Sequence, residues 1–194
     1  PFLMQIPGIG LLSALAIQAA IGDVSRFGAA RKLVGYAGLG SRVHDSGKIH
    51  RTGRITKSGR RDLRYALIEA ARAAVQHHPY WATVAAKLGA RIGEKKALVA
   101  IARRLLVTIW QVLTKREADL HAEPERVATK FMRWSWELKP QHRQGLQSRE
   151  FIRWKLEPLG IGAELTHLTY GKMPRRVASA EELWKKRPDL RPPD

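Results

Sequence analysis

The sequence contains no cysteine. That excludes a disulfide framework, a thiol nucleophile and a cysteine-held zinc, and it agrees with a reducing, cytoplasmic setting. Acidic residues are scarce: 17 Asp and Glu stand against 35 Lys and Arg, a formal net charge of +18. Such an excess is larger than solubility needs and points to a polyanionic partner. Long apolar runs are lacking as well. The longest, residues 8–21, is too short and too glycine-rich to cross a bilayer, so nucleic acid is expected and a membrane is not. No signal peptide is visible. The histidines form no ligand set, because His44 and His50 lie in a basic loop while the side chains of adjacent His77 and His78 diverge. No metal is assigned to the chain.

What is present is a core-forming composition, 44% hydrophobic over 194 residues, enough for one ordinary domain with an appendage. A Pro-Gly-Ile-Gly turn at residues 7–10 leads into an apolar helical run over 11–21, closed by Gly22 as a C-terminal cap. This resembles the hairpin and second helix of a helix-hairpin-helix module. Gly8 and Gly10 would then permit a tight turn whose following helix N-terminus holds a phosphate without reading bases. The alternative is a plain loop joining two core helices. The chain opens on Pro1-Phe2, in what reads as the second half of a motif, and a piece of a longer protein is expected.

Further along, Asp23 or Ser25 caps a short helix carrying Phe27, Ala30, Leu33, Val34 and Ala37 at helical spacing and ending near residues 35–38. A long amphipathic helix is expected from about Ser58, with Leu63, Ala66, Leu67, Ala70, Ala71, Ala74 and Val75 on one stripe and Pro79 at its end. Two more helices are expected over 80–91 and 94–113. Beyond a boundary near 115–122 come two shorter Trp-rich helices, and "KKRPDLRPPD" reads as a disordered end. Trp134, Trp136 and Trp154 either stack on bases or a partner, or pack the two small helices together.

Between the helical stretches lies "RVHDSGKIHRTGRITKSGRRDLR", residues 42–64, with eight Lys or Arg against two Asp. Val43, Ile49 and Ile55 alternate with polar residues and are interrupted by glycines, which predicts a loop or irregular hairpin. Arg42, Lys48, Arg51, Arg54, Lys57, Arg60, Arg61 and Arg64 are the candidate nucleic-acid-binding residues. The last three lie near a helix N-terminus, where the macrodipole disfavours cations and an anion is wanted. Ser46, between Asp45 and Gly47 and amid Arg and Lys, has the ingredients of a phosphoryl-transfer nucleophile. Asp-Ser-Gly is equally an ordinary turn tripeptide.

Taken in order, Pro7 to Gly10, Gly22-Asp23, Arg26-Phe27, Ala37 to Leu39, Ser46 to Lys48, Gly53 to Ile55, Lys57 to Gly59 and Leu63-Arg64 resemble the C-terminal transposase domain of the insertion-sequence one-ten (one-ten, one-sixteen, nine-oh-two) family. The likeness runs over about residues 6–113. It implies a DNA recombinase that joins this serine-bearing domain to an N-terminal RuvC-like domain with metal-binding acids, guided by a structured bridge RNA. It further implies Ser46 as the nucleophile, a divalent metal held outside this chain, a homo-oligomer at full length, and work on DNA at the bacterial nucleoid. No acidic cluster precedes Ser46 in this sequence, which departs from the whole-family pattern.

The expected fold is therefore mostly α: a helix-hairpin-helix-like start, a basic loop or small hairpin, then a helical bundle with a Trp-rich helical tail. The expected division is a DNA-binding transposase domain over 1–115, a helical extension over 116–175 and a flexible tail over 176–194. The expected activity is DNA transposition or site-specific recombination, with binding that falls by several decades as salt rises if about six to ten phosphates are contacted. The competing readings are a non-catalytic helical module that clamps phosphates, in which Ser46 is a turn residue, and a truncated remnant.

Overall fold

A computed structural model describes residues 1–46 and 49–191, with side chains described outside 42–54. The described residues are mostly α-helical, as the periodicity predicts, and divide into two compact units, Ile6–Lys115 and the pair of segments Pro1–Gln5 and Arg116–Asp194.

The first unit holds α1 (Leu11–Ile21), α2 (Ala30–Tyr36), the antiparallel hairpin β1 (Ser41–Ser46) and β2 (Ile49–Ile55), then α3 (Arg61–His77), α4 (Pro79–Ile92) and α5 (Glu94–Lys115). α5 is long and apolar enough to cross a membrane, but α2, α3 and α4 pack against it. Its Ala97, Ile101, Ala102, Leu105, Leu106, Ile109 and Val112 are buried, so its apolar character is that of a central core helix. Pro79 starts α4 at its first turn, where a missing N–H costs no helical bond. Gly22 ends α1 at φ +63°, its N–H bonded to Gln18 O at 2.8 Å, which is the cap the sequence predicts.

Two sequence expectations shift within this unit. The helix expected after Asp23 splits into a 3-10 turn at Val24–Arg26, capped by the Asp23 carboxylate, and the separate α2. α3 begins at Arg61, three residues after the expected start, because Gly59 and Arg60 are used in a close backbone crossing with residues 36–38. Residues 6–10, ahead of α1, are turns, a bend and irregular backbone.

The second unit contains α6 (Pro124–Glu137), α7 (Ser148–Leu156), a short hairpin of β3 (His167–Tyr170) and β4 (Met173–Arg176), and α8 (Ala180–Lys186). Trp134, Trp154 and Trp184 pack around Leu146, Phe151 and Leu183. Trp134 meets Phe151 edge-on, ring centroids 5.3 Å apart, a favourable quadrupole arrangement. Two of the three tryptophans singled out from the sequence thus pack the small helices together, and Trp136 does not.

The expected flexible tail is corrected over residues 180–190. Ser179 Oγ accepts the Glu182 N–H while Glu182 accepts the Ser179 N–H, a capping box that starts α8. Lys186 bonds the buried Glu150 carboxylate at 2.9 Å from each oxygen, tying α8 to α7. A 3-10 turn follows at Pro188–Leu190. The last three residues of the expected tail, 192–194, lie outside the described residues.

Lys130 Nζ donates to Met4 O at 2.7 Å, and burial pulls its ammonium down to about 8. The unfolded chain keeps this proton until about 10.5. Between those values the unfolded state binds more protons, so stability rises with pH there. Relative to Lys130→Met, the parent chain is expected to gain about 1–2 kcal/mol between pH 7.5 and 10, read from denaturant curves of both proteins. A pH-independent difference would contradict the assignment.

Candidate nucleic-acid interface

Charge is unevenly shared. The unit Ile6–Lys115 carries 19 Lys and Arg against five Asp and Glu, whereas the other carries 16 against 12. Most of the excess positive charge therefore sits in the unit that holds the β1–β2 hairpin, where the field of each cation adds to its neighbours'.

The hairpin register pairs Ser41 with Ile55, Val43 with Thr52, His44 with Arg51, Asp45 with His50 and Ser46 with Ile49, with a bulge between Ser41 and Val43. The irregular hairpin expected from the sequence is thus a two-stranded ribbon. Ser46 is the last residue of β1, in the last pair before the turn. Arg51 and Arg54 lie on β2 and Arg42 lies on β1 beside the bulge. Lys48 falls outside the described residues.

The root of the ribbon is fixed by backbone contacts beside the buried Ala37 and Leu39. Thr56 N–H donates to Gly40 O at 2.8 Å, Lys57 N–H to Gly38 O at 3.1 Å, and Arg60 N–H to Tyr36 O at 2.9 Å. The crossing is so close that a Cβ on Gly59 would lie 2.3 Å from Tyr36 O and 2.7 Å from Gly38 N. Neither neighbour is a side chain that could swing away. Gly59→Ala is therefore expected to cost about 2–4 kcal/mol and to speed hydrogen exchange at the Arg60 amide. A loss under about 0.5 kcal/mol, the range of an ordinary surface substitution, would mean that the crossing relaxes freely.

Among the remaining site candidates, the structure divides roles. Arg60, the residue before α3, is held by Asp62, with Nε 2.9 Å from Oδ1, and by the Tyr36 hydroxyl at 3.4 Å. Asp62 is held well below the usual carboxylate range, first by its side-chain bond to Arg60 and then by the Leu63 amide. The anion wanted at this helix start is thus supplied in part by the protein itself. Arg64 Nη1 donates to Ala37 O at 3.0 Å and so braces the same crossing. Arg61 and Lys57 are exposed. Lys57 adopts φ +56°, an unusual left-handed conformation for a residue with a Cβ, which its N–H bond to Gly38 O accompanies.

The two turn glycines also separate. Gly8, at φ +82°, lies against α3 so closely that a Cβ would fall 2.1 Å from Ala70 O. Its place in the fold is that of a packing contact. Gly10 precedes α1 with open space at its Cβ position and accepts the Ala14 N–H at 2.9 Å.

Sequence reasoning did not single out Arg26 and Tyr36 as a pair. The Arg26 guanidinium sits 4.6 Å from the Phe27 ring centroid and 4.7 Å from that of Tyr36. Arg26 and then Arg60 hold the Tyr36 phenol below its ordinary pKa, while its hydroxyl donates to Ala20 O at 3.3 Å. Aromatic residues following or facing an arginine were the available signal. Among the described residues, no group of three His, Asp or Glu could hold a metal ion.

Residues 1–86 match the family described as Transposase IS116/IS110/IS902 family. The chain is 35% identical over 120 residues to the transposase for insertion sequence element IS1111A of Coxiella burnetii, a match covering 58% of this chain and 32% of that protein. It is 36% identical over 114 residues to the pilin gene-inverting protein of Moraxella bovis, covering 57% of this chain and 35% of the relative. It is 40% identical over 74 residues to a probable family 20 transposase of Pseudomonas aeruginosa, covering 38% and 22%. The matched stretch spans about a third of the length of the first two relatives.

Proposed function

We propose that this chain is the serine-bearing, DNA-handling part of a transposase or site-specific recombinase. The observation that carries the reading is the position of Ser46. It closes β1 in the last pair of a cation-rich ribbon with a rigid root, inside the residues that match the transposase family. A ribbon of this kind can lie along a phosphate backbone, with cations replacing the counterions that DNA sheds.

In the proposed step, Ser46 Oγ attacks a DNA phosphorus. An Oγ–P bond forms, one P–O bond to a deoxyribose breaks, the serine proton leaves, and the departing sugar oxygen takes up a proton. Guanidinium groups of the ribbon would offset charge on the pentacovalent phosphorus. The product is a phosphoserine link that a second DNA end can resolve. A bridge RNA to choose the sites, a homo-oligomer at full length and action on DNA at the nucleoid belong to the same proposal. The divalent metal that the resemblance implies finds no set of donors among the described residues, and no step is routed through it.

A second reading is a phosphate clamp in which Ser46 is only a turn residue, favoured by the structural employment of Arg60 and Arg64 in the root. Both readings place DNA on the ribbon. Fluorescence anisotropy with duplex DNA tests this shared part: Arg51→Ala combined with Arg54→Ala is expected to weaken binding about tenfold or more and to flatten its salt dependence by about two units of slope. Unchanged binding and slope would remove the ribbon from the DNA interface.

A further inference from the structure

We propose that the end of α6 and the β3–β4 hairpin form a stacking platform for single-stranded DNA. The choice of DNA rests on the transposase reading above, while the platform itself rests on separate residues. Trp136 is 50% exposed although the other tryptophans of its unit pack into a core. Its ring meets Tyr170 edge-on, with centroids 5.2 Å apart and planes at 85°. Tyr170 pairs across the turn with Met173, which is 61% exposed. The Arg133 guanidinium lies 5.6 Å from the Tyr170 centroid.

Two rings held at right angles by each other and by a cation are rigid, so a base that stacks on them orders little that is not ordered already. Exposed Arg133, Lys172 and Arg175 share this α6–hairpin region, while Arg176 is engaged by Glu182. Of the two nearby acids, Glu125 accepts the Thr169 N–H at 2.8 Å, leaving Glu137 as an exposed counter-charge. Aromatic faces flanked by cations match a strand with free bases and a charged backbone. Duplex DNA has no unstacked base to offer the rings. A protein partner would have to cover three cations to reach one Trp and one Met.

The test uses the whole chain and a dye-labelled oligothymidylate of about 15 nucleotides, with a duplex and an oligouridylate of the same length as comparators. Trp136→Ala and Tyr170→Ala are each expected to weaken single-strand binding about tenfold and to leave duplex binding within about twofold. In the unaltered protein, bromodeoxyuridine photocross-links are expected at Trp136 or Tyr170, which keeps the proposal testable should a variant fail to fold. Lys172→Ala with Arg175→Ala, in the exposed turn and on exposed β4, should reduce the salt slope for the single strand. The proposal is overturned by single-strand affinity that is unchanged in folded variants, by cross-links confined to the Ile6–Lys115 unit, or by equal loss of duplex binding. Tighter binding of oligouridylate, lost in the same variants, would overturn the choice of DNA. No binding of any nucleic acid would sink the transposase reading along with it, whereas duplex binding through the ribbon with no effect at Trp136 would sink only this one.

Discussion

Arg153→Met is expected to destabilise the unit containing α6, α7 and α8 by about 3–5 kcal/mol, the largest stability effect foreseen for one substitution in this chain. Arg153 is 2% exposed. Its Nε donates to Ala178 O at 2.8 Å, Nη1 to Gly162 O at 2.7 Å and Nη2 to Leu165 O at 2.6 Å. Glu157, one turn along, lies 3.7 Å from Nη1 and supplies the counter-charge. One guanidinium thus gathers carbonyls from both ends of the segment that carries β3 and β4. Methionine fills much of the same space with an apolar stem but donates nothing, so the Ala178 and Leu165 carbonyls lose the guanidinium outright, while Gly162 O keeps only the Leu165 N–H at 3.1 Å. Lysine could satisfy only some of them, and Arg153→Lys should fall between the two. Four of the six tryptophans, at 134, 136, 154 and 184, lie in this unit, so fluorescence against denaturant reads it directly. Because the chain has two units, the curve should be fitted with two transitions. A shift below about 1 kcal/mol would show that water replaces the guanidinium without penalty.

The second large effect concerns chemistry rather than stability. In a protein extended to the length of the relatives and supplied with the guide RNA proposed above, Ser46→Ala is expected to reduce strand exchange by about a thousandfold or more. Duplex binding should stay within about twofold, since a hydroxyl is one small contact among several charged ones. Thr52 provides an internal comparison. It offers a hydroxyl on the same ribbon, paired with Val43 three register steps from the Ser46–Ile49 pair, or about 10 Å along the strand. Thr52→Ala should therefore keep its activity. Equal loss in both variants would point to damage to the ribbon, and full activity of Ser46→Ala would leave the clamp reading standing.

The helices were legible because their apolar positions repeat at the helical period and their ends carry Pro or Gly. Pro79, at the start of α4, and Gly22, at the end of α1, mark real boundaries. The β1–β2 ribbon was legible from alternation broken by glycine. What escaped was either too short or too non-local. β3 and β4 have four residues each and β4 contains Pro174, which weakens a strand signal even though Gly171 marks the turn. The capping box of Ser179 and Glu182 was present in the sequence but overshadowed by the Lys, Arg and Pro that follow it. Nothing local announces that Arg153 is buried, since its acceptors lie between nine and 25 residues away. The same holds at the candidate site. The identity of Gly59 follows from Tyr36, a residue distant in sequence that crosses it in space. Spacing alone also cannot divide the arginines near α3 into braces and free cations, because that depends on where Asp62, Tyr36 and the Ala37 carbonyl come to rest.

The measurement that bears most directly on the central claim is a search for a covalent link. The relative-length protein would be incubated with the proposed guide RNA and with donor and target DNA, denatured, digested, and its peptides mapped for attached nucleotide. The account predicts a deoxynucleotide joined through phosphate to Ser46. Recombined DNA accompanied by a link at another residue, or by no link at all, would contradict it.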